Sequence, residues 1–114
     1  METRSSHIDD IVTQFLALDP YRMVLFGSQA TGMQDQGSAI DLLVVLDSEA
    51  VSQTYEEKMR RKLMVRARVV EINKRVPIDL IVYTKAEYEI LEKHGSAFLK
   101  EITTFGKTVY EKAS

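Results

Sequence analysis

Apolar residues follow two different spacings along this chain, and the spacings predict helices and strands in alternation. They recur every three or four positions over residues 8–16 and again over residues 52–74, as in amphipathic helices. Shorter runs that are apolar almost throughout are typical of buried strands, and they span residues 22–26, 40–46 and 77–83. The pattern therefore predicts a first helix, two strands, a long second helix and a third strand.

The last third of the chain adds two shorter helices. Thr84 is placed to cap a helix that Gly95 ends, and a further helix is predicted over residues 96–105, followed by a short strand at 108–110. This order predicts an α/β (α+β) fold, in which helices flank a small mixed β-sheet within a single domain of residues 1–114.

Composition narrows the functional classes. The 114 residues are 45% hydrophobic and 28% charged, which is ordinary for a globular protein, and none is cysteine. A disulfide framework, a zinc ribbon and a thiol nucleophile are therefore excluded, and a cytoplasmic location is expected. The longest apolar run, Leu42 to Leu46, is too short to cross a membrane, and the first residues lack the apolar core of a signal peptide.

Charge is distributed unevenly along the chain. Residues 58–75 contain eight basic residues and one acid, whereas the rest contains seven basic and sixteen acidic residues. Such a segment could be a solvated helix face, a docking surface for a protein partner, or a nucleic-acid site. No aromatic residues interleave the basic ones, which makes nucleic acid the least favoured of the three.

Two aspartates interrupt strands that are otherwise apolar. Asp41 lies in the run Ile-Asp-Leu-Leu-Val-Val-Leu and Asp79 in Ile-Asp-Leu-Ile-Val-Tyr, each at the same point of its strand. An unpaired carboxylate is costly to bury, and carboxylates from neighbouring strands are good ligands for Mg²⁺. We expect a shared metal site, the alternative being two unrelated aspartates at strand edges.

The pair Gly27-Ser28 directly follows the first predicted strand. Glycine lets the backbone approach a phosphate, and a serine hydroxyl with nearby N–H groups can bind phosphate oxygens. The loop lacks the Gly-Lys-Ser/Thr of a P-loop and the glycine spacing of a dinucleotide-binding fold. On these residues alone, a phosphate site is a weak prediction.

Taken together, these residues resemble a known family. Gly27-Ser28, ten intervening residues and Ala39-Ile40-Asp41 are similar to the Gly-Ser-x10-Asp-x-Asp signature of minimal nucleotidyltransferases, in the DNA polymerase β-like superfamily. Asp79 fits the family's third carboxylate. The resemblance implies a polymerase β-like palm fold, phosphates of ATP bound at Gly27 and Ser28, and two Mg²⁺ ions held by carboxylates that here include Asp41 and Asp79.

Position 39 departs from that signature. The family has an aspartate there, and Ala39 cannot bind a metal ion. The resemblance therefore implies impaired catalysis. Two explanations stay open, a natural degenerate transferase and an active-site variant that stabilises a complex.

Minimal proteins of this family often pair with a helical HEPN protein as the antitoxin of a toxin–antitoxin system. The resemblance implies transfer of AMP from ATP to a tyrosine hydroxyl of that toxin, with Asp79 beside the acceptor hydroxyl as a candidate base. Two alternatives are a catalytically dead module that binds nucleotide or toxin, and a transferase that acts on a small hydroxylated molecule such as an aminoglycoside.

Overall fold

A four-stranded mixed sheet forms the centre of the computed structural model, which describes residues 4–27 and 39–113. The strands are β1 (Pro20–Phe26), β2 (Ile40–Leu46), β3 (Ile78–Thr84) and β4 (Lys107–Glu111). Their spatial order is β3-β2-β1-β4, in which β2 and β3 are parallel and the other neighbours are antiparallel. The predicted fold class, a small mixed sheet flanked by helices, is confirmed.

Helices cover both faces of this sheet. They are α1 (Arg4–Phe15), α2 (Tyr55–Ala67), α3 (Val70–Asn73), α4 (Lys85–Lys93) and α5 (Ala97–Phe105), with a short 3-10 turn at Leu16–Leu18. Among the described residues, no helix combines the length and the apolar character that a membrane crossing requires.

Side-chain alternation along β2 divides the core into two clusters. Ile40, Leu42 and Val44 belong to the cluster that contains buried residues of α1, α2 and α3. Leu43 and Val45 belong to the other, which contains buried residues of α4 and α5. Because successive strand residues point to opposite faces, β2 is buried on both sides, which explains its nearly continuous apolar sequence.

The prediction of one long helix over residues 52–74 is wrong, because the chain forms two helices there. Val69 leaves helical geometry with φ −125° and ψ 20°. The N–H groups of Arg68 and Val69 donate to carbonyls three residues back, at 3.1 Å each, which makes a tighter turn than an α-helix. Val65, Val69 and Ile72 are all buried, so the apolar spacing continues across the break and conceals it.

The start of α4 anchors the segment that leads into α2. Thr84 caps the helix as predicted, and the Glu87 carboxylate accepts hydrogen bonds from the backbone N–H groups of Thr84 (2.9 Å) and Ser52 (3.0 Å). Arg61 lies 3.7 Å from the same carboxylate. Burial alone would raise the pKa of Glu87, but these hydrogen bonds and the Arg61 charge hold that pKa below its ordinary value.

Replacing Glu87 with glutamine tests this anchor. A carboxyl group whose pKa is lowered by folding stabilises the protein above its unfolded-state pKa, and that contribution disappears as the pH falls through the folded-state value. We expect Glu87→Gln to lower the unfolding free energy by about 1 kcal/mol at pH 7, and the difference to vanish in acid. Urea unfolding from pH 7 to pH 3 measures it. The matched control is Glu89→Gln on the exposed side of α4, and an equal, pH-dependent loss there would contradict the assignment.

Gly106 lets α5 lie close to β1. A Cβ atom at this position would overlap the carbonyl oxygen of Ile102 and would lie 2.7 Å from Cγ1 of Val24 and 2.9 Å from the carbonyl oxygen of Leu25. Two of these neighbours are backbone atoms, which can move only if α5 shifts away from the sheet.

We therefore expect Gly106→Ala to destabilise the protein by about 1–3 kcal/mol, as overpacking typically does. Gly95 provides the comparison, because it has φ +75° but nothing lies within 4 Å of an added Cβ. Asparagine tolerates that conformation, so Gly95→Asn should cost less. Denaturant unfolding of both variants measures the two losses of unfolding free energy. Equal losses would show that the close contact at Gly106 does not destabilise the Gly106→Ala variant.

Candidate active site

The parallel pairing of β2 and β3 places the two strand aspartates side by side. Asp41 and Asp79 are direct register partners, each at the second residue of its strand. Asp41 alternates with Leu43 and Asp79 with Ile81, and both apolar residues belong to the cluster covered by α4 and α5. Both carboxylates therefore lie at one edge of the sheet and on one face, as the sequence predicted.

The surroundings of Asp41 disfavour the charged form of its carboxyl group. Burial raises the pKa of Asp41 above its ordinary value, and the negative charge of Asp79 raises it further. A hydrogen bond to the Asp79 side chain acts in the same direction, which requires the carboxyl groups to be close together. Asp41 is half-buried and Asp79 is exposed, so the pair is open to a ligand from solvent.

Gly27 ends β1 next to this pair. Its φ is +68°, a conformation that favours glycine, and a Cβ atom there would overlap Oδ2 of Asp41. Any other side chain would therefore displace the carboxylate. Glycine was predicted here for its approach to a phosphate, and the structure adds that it makes room for Asp41. Ser28, the other predicted phosphate ligand, lies outside the described residues, as do residues 29–38.

A divalent cation fits the chemistry of this pair. Two adjacent carboxylates supply the hard oxygen ligands that Mg²⁺ prefers, and a bound cation would relieve their repulsion. Within residues 4–27 and 39–113, no group of three or more potential metal-binding side chains occurs. Ala39, directly before β2, carries no metal-binding group.

An aromatic pocket that the sequence reasoning missed lies beside Gly27. It has a volume of about 370 Å³ and is lined by Phe26, Gly27, Phe98, Glu101, Ile102, Phe105 and Gly106. The rings of Phe26 and Phe98 meet edge to face at 6.4 Å, and Phe105 is 70% exposed. Phe98 and Phe105 are seven residues apart and so share one side of α5, which was the available signal. Such a pocket can hold a flat ring.

Comparison with known proteins agrees with this geometry. The sequence profile of the nucleotidyltransferase domain matches residues 7–110, nearly the whole chain. The protein belongs to this nucleotidyltransferase family. The family assignment covers both aspartates and Gly27, which places the carboxylate pair inside the matched domain.

A solved structure shares the fold of this nucleotidyltransferase domain. It is described as the crystal structure of a toxin–antitoxin with AMP-PNP, and it superposes with a TM-score of 0.53 at 16% identity. The superposition covers 91% of this chain and 73% of the other. A search of curated proteins found no match.

The repulsion between the aspartates predicts an unusual response to substitution. Asp41→Asn removes one of the two charges, so in the absence of divalent cations it should raise the unfolding free energy by up to about 1 kcal/mol, the size of a solvent-screened pair. Mg²⁺ should stabilise the original protein and not the variant. Thermal unfolding with EDTA and with Mg²⁺ measures both effects.

Asp9→Asn is the control for net charge, because Asp9 is exposed on α1. It should preserve the response to Mg²⁺. If Asp41→Asn instead lowers the unfolding free energy of the metal-free protein, the two aspartates do not repel each other at this site.

Proposed function

We propose that this nucleotidyltransferase is the antitoxin of a HEPN toxin–antitoxin pair and that its chemistry is the transfer of AMP from ATP to a tyrosine hydroxyl of the toxin. We further propose that Ala39 impairs this transfer in the present chain. The observation that carries the proposal is the convergence of Asp41 and Asp79 beside Gly27 at one edge of the sheet.

The reaction is a displacement at the α-phosphorus of ATP. The tyrosine oxygen forms a bond to the α-phosphorus. The bond between the α-phosphorus and the oxygen that bridges it to the β-phosphorus breaks, and pyrophosphate leaves. Mg²⁺, when bound, neutralises phosphate charge and aligns the reacting groups. We assign metal binding to Asp41 and Asp79, with Asp79 also accepting the tyrosine proton because it is the more exposed of the two.

The position of Gly27 supports binding of the triphosphate. We propose that Gly27 and Ser28 hold the β- and γ-phosphates, so that the α-phosphorus would lie near the Asp41 carboxylate on the adjacent strand β2. The phenylalanine-lined pocket next to Gly27 supports a nucleotide rather than a bare phosphate as the ligand, since a flat base can stack there.

Two observations support a toxin as the partner, namely a similar solved structure and the resemblance of the signature residues. The similar solved structure is a toxin–antitoxin with a nucleotide analogue. The HEPN identity of the partner and the tyrosine acceptor come from the resemblance of the signature residues to minimal nucleotidyltransferases. A cytoplasmic location stays a prediction from the absence of cysteine.

A second candidate function is a catalytically dead module that binds nucleotide or toxin. The presence of Ala39 where the family signature has a metal-binding aspartate favours it. The two functions differ in one result, because only the first predicts that restoring the aspartate restores transfer.

The test is therefore Ala39→Asp. Incubated with ATP, Mg²⁺ and the HEPN partner, this variant should add AMP to the partner, and the original chain should do so at least about a hundredfold more slowly. Mass spectrometry of the partner measures the rate. The loss of one electrostatic partner of the transition state accounts for the difference.

Two controls complete the experiment. Ala50→Asp adds the same charge near the opposite end of β2 and should leave the rate unchanged. Adding Asp79→Asn to Ala39→Asp should abolish the gain. Equal modification by the original chain and by Ala39→Asp would overturn the metal-ligand role of position 39, and no modification by either would favour the binding module.

A further inference from the structure

The outer side of α2 and the start of α3 expose apolar side chains that remain accessible among residues 4–27 and 39–113. Leu63 is 54% and Met64 50% exposed, and Val70 at the start of α3 is 46% exposed. Val65 is the only buried residue of α2. Exposed apolar residues scattered singly are ordinary, but these three lie within eight consecutive residues across the junction of α2 and α3, which is typical of an interaction surface.

A groove lies next to Leu63 on the side of α1, because Ala67 in its lining is four residues further along α2. It has a volume of about 460 Å³, with Asp10, Thr13 and Gln14 of α1 on one side and Ala67, Arg68 and Val70 on the other. The groove therefore joins two helices that both pack on the same face of the sheet. We call Leu63, Met64 and this groove the α1–α2 surface.

Exposed cations flank the α1–α2 surface, and the groove itself also contains the acidic residues Asp10 and Glu71. Arg61 is occupied within the fold, since it bonds the Ser52 hydroxyl and lies beside Glu87. Lys74 pairs with Glu71 at 3.1 Å. Arg60, Arg66 and Arg68 are exposed and have no ion pair in the part of the chain that the structure describes.

We propose that the α1–α2 surface binds an amphipathic, acidic helix of a protein partner. The apolar residues would pack against its apolar side, and Arg60 and Arg68 would face carboxylates along its edges. Helix-in-groove recognition uses apolar anchors at helical spacing in this way, and complementary charge at the rim sets specificity and the rate of association.

Other occupants fit this surface less well. Single-stranded nucleic acid would need exposed aromatic rings among the cations, whereas Leu63, Met64 and Val70 occupy those places. A second copy in a symmetric dimer would bring Arg60, Arg66 and Arg68 of both subunits into one contact, because a two-fold contact uses the same patch on both subunits.

The position of the α1–α2 surface is also compatible with AMP transfer to a bound partner, an inference that rests on the proposed function. The groove lies beside α1, whose buried residues belong to the core cluster on the face of the sheet opposite Asp41 and Asp79, so a helix docked in the groove would not cover them. Arg75, which also lines the groove, precedes Asp79 by only four residues. A partner anchored in the groove could therefore extend around the sheet edge to present its hydroxyl there.

The experiment uses a labelled, alanine-rich peptide of about 20 residues, long enough to be partly helical, with leucines at helical spacing and glutamates beside them. A second peptide carries glutamine in place of glutamate, and a labelled uridine oligonucleotide serves as the RNA probe. Fluorescence anisotropy with the full chain, without ATP, measures binding, and size exclusion measures self-association.

Two matched pairs of variants localise the binding. Arg60→Glu with Arg68→Glu reverses charge in the middle and at the end of α2, and Lys93→Glu with Lys100→Glu does the same at exposed helical positions of α4 and α5. Leu63→Asp alters the apolar part, with Ile90→Asp, at 45% exposure, as its control.

We expect the acidic peptide to bind more tightly than the glutamine peptide and the RNA. The arginine pair and Leu63→Asp should each weaken it at least about tenfold, and the controls by no more than about twofold. The proposal is overturned if the controls weaken binding equally, if neither peptide binds, if RNA binds more tightly, or if the chain is a dimer that Leu63→Asp dissociates. Because no ATP is present, each result is independent of the AMP-transfer assay.

Discussion

The parallel pairing of β2 with β3 is the constraint on which the site depends. Its register sets Asp41 directly opposite Asp79, and side-chain alternation then turns both carboxylates to the same face. A shift of one residue would send one of them into the opposite core cluster, where an unpaired carboxylate is costly. The apolar residues that follow each aspartate therefore hold the register, since they too would change faces.

The second requirement is that neighbouring segments approach each other closely, and glycine allows this at two positions. Gly27 leaves room for the Asp41 carboxylate at the end of β1, and Gly106 lets the end of α5 lie against β1. The aromatic pocket is formed between these two points. The two faces of the sheet thus carry different features. One carries the carboxylates and the pocket, and the other carries the α1–α2 surface.

Much of the fold was predictable because its signals are local. Thr84 caps α4 through its own hydroxyl, Gly95 ends the following turn, and β2 is apolar because it is buried on both faces. The break between α2 and α3 was not predictable, because Val65, Val69 and Ile72 keep helical spacing across it. The pocket was missed because Phe98 and Phe105 resemble ordinary core residues of an amphipathic helix until the packing of α5 on β1 is known.

The sequence by itself determined the four strands, the helices at both ends of the chain, the aspartates' intrusion into apolar strands and the absence of a carboxylate at position 39, since each depends on residue type and spacing alone. Only the tertiary structure decided which groups meet. It paired Asp41 with Asp79 across strands 38 residues apart in sequence, occupied Arg61 with Glu87, and left Arg60 and Arg68 exposed. Contacts between distant segments depend on sheet register and helix packing, which local patterns do not encode.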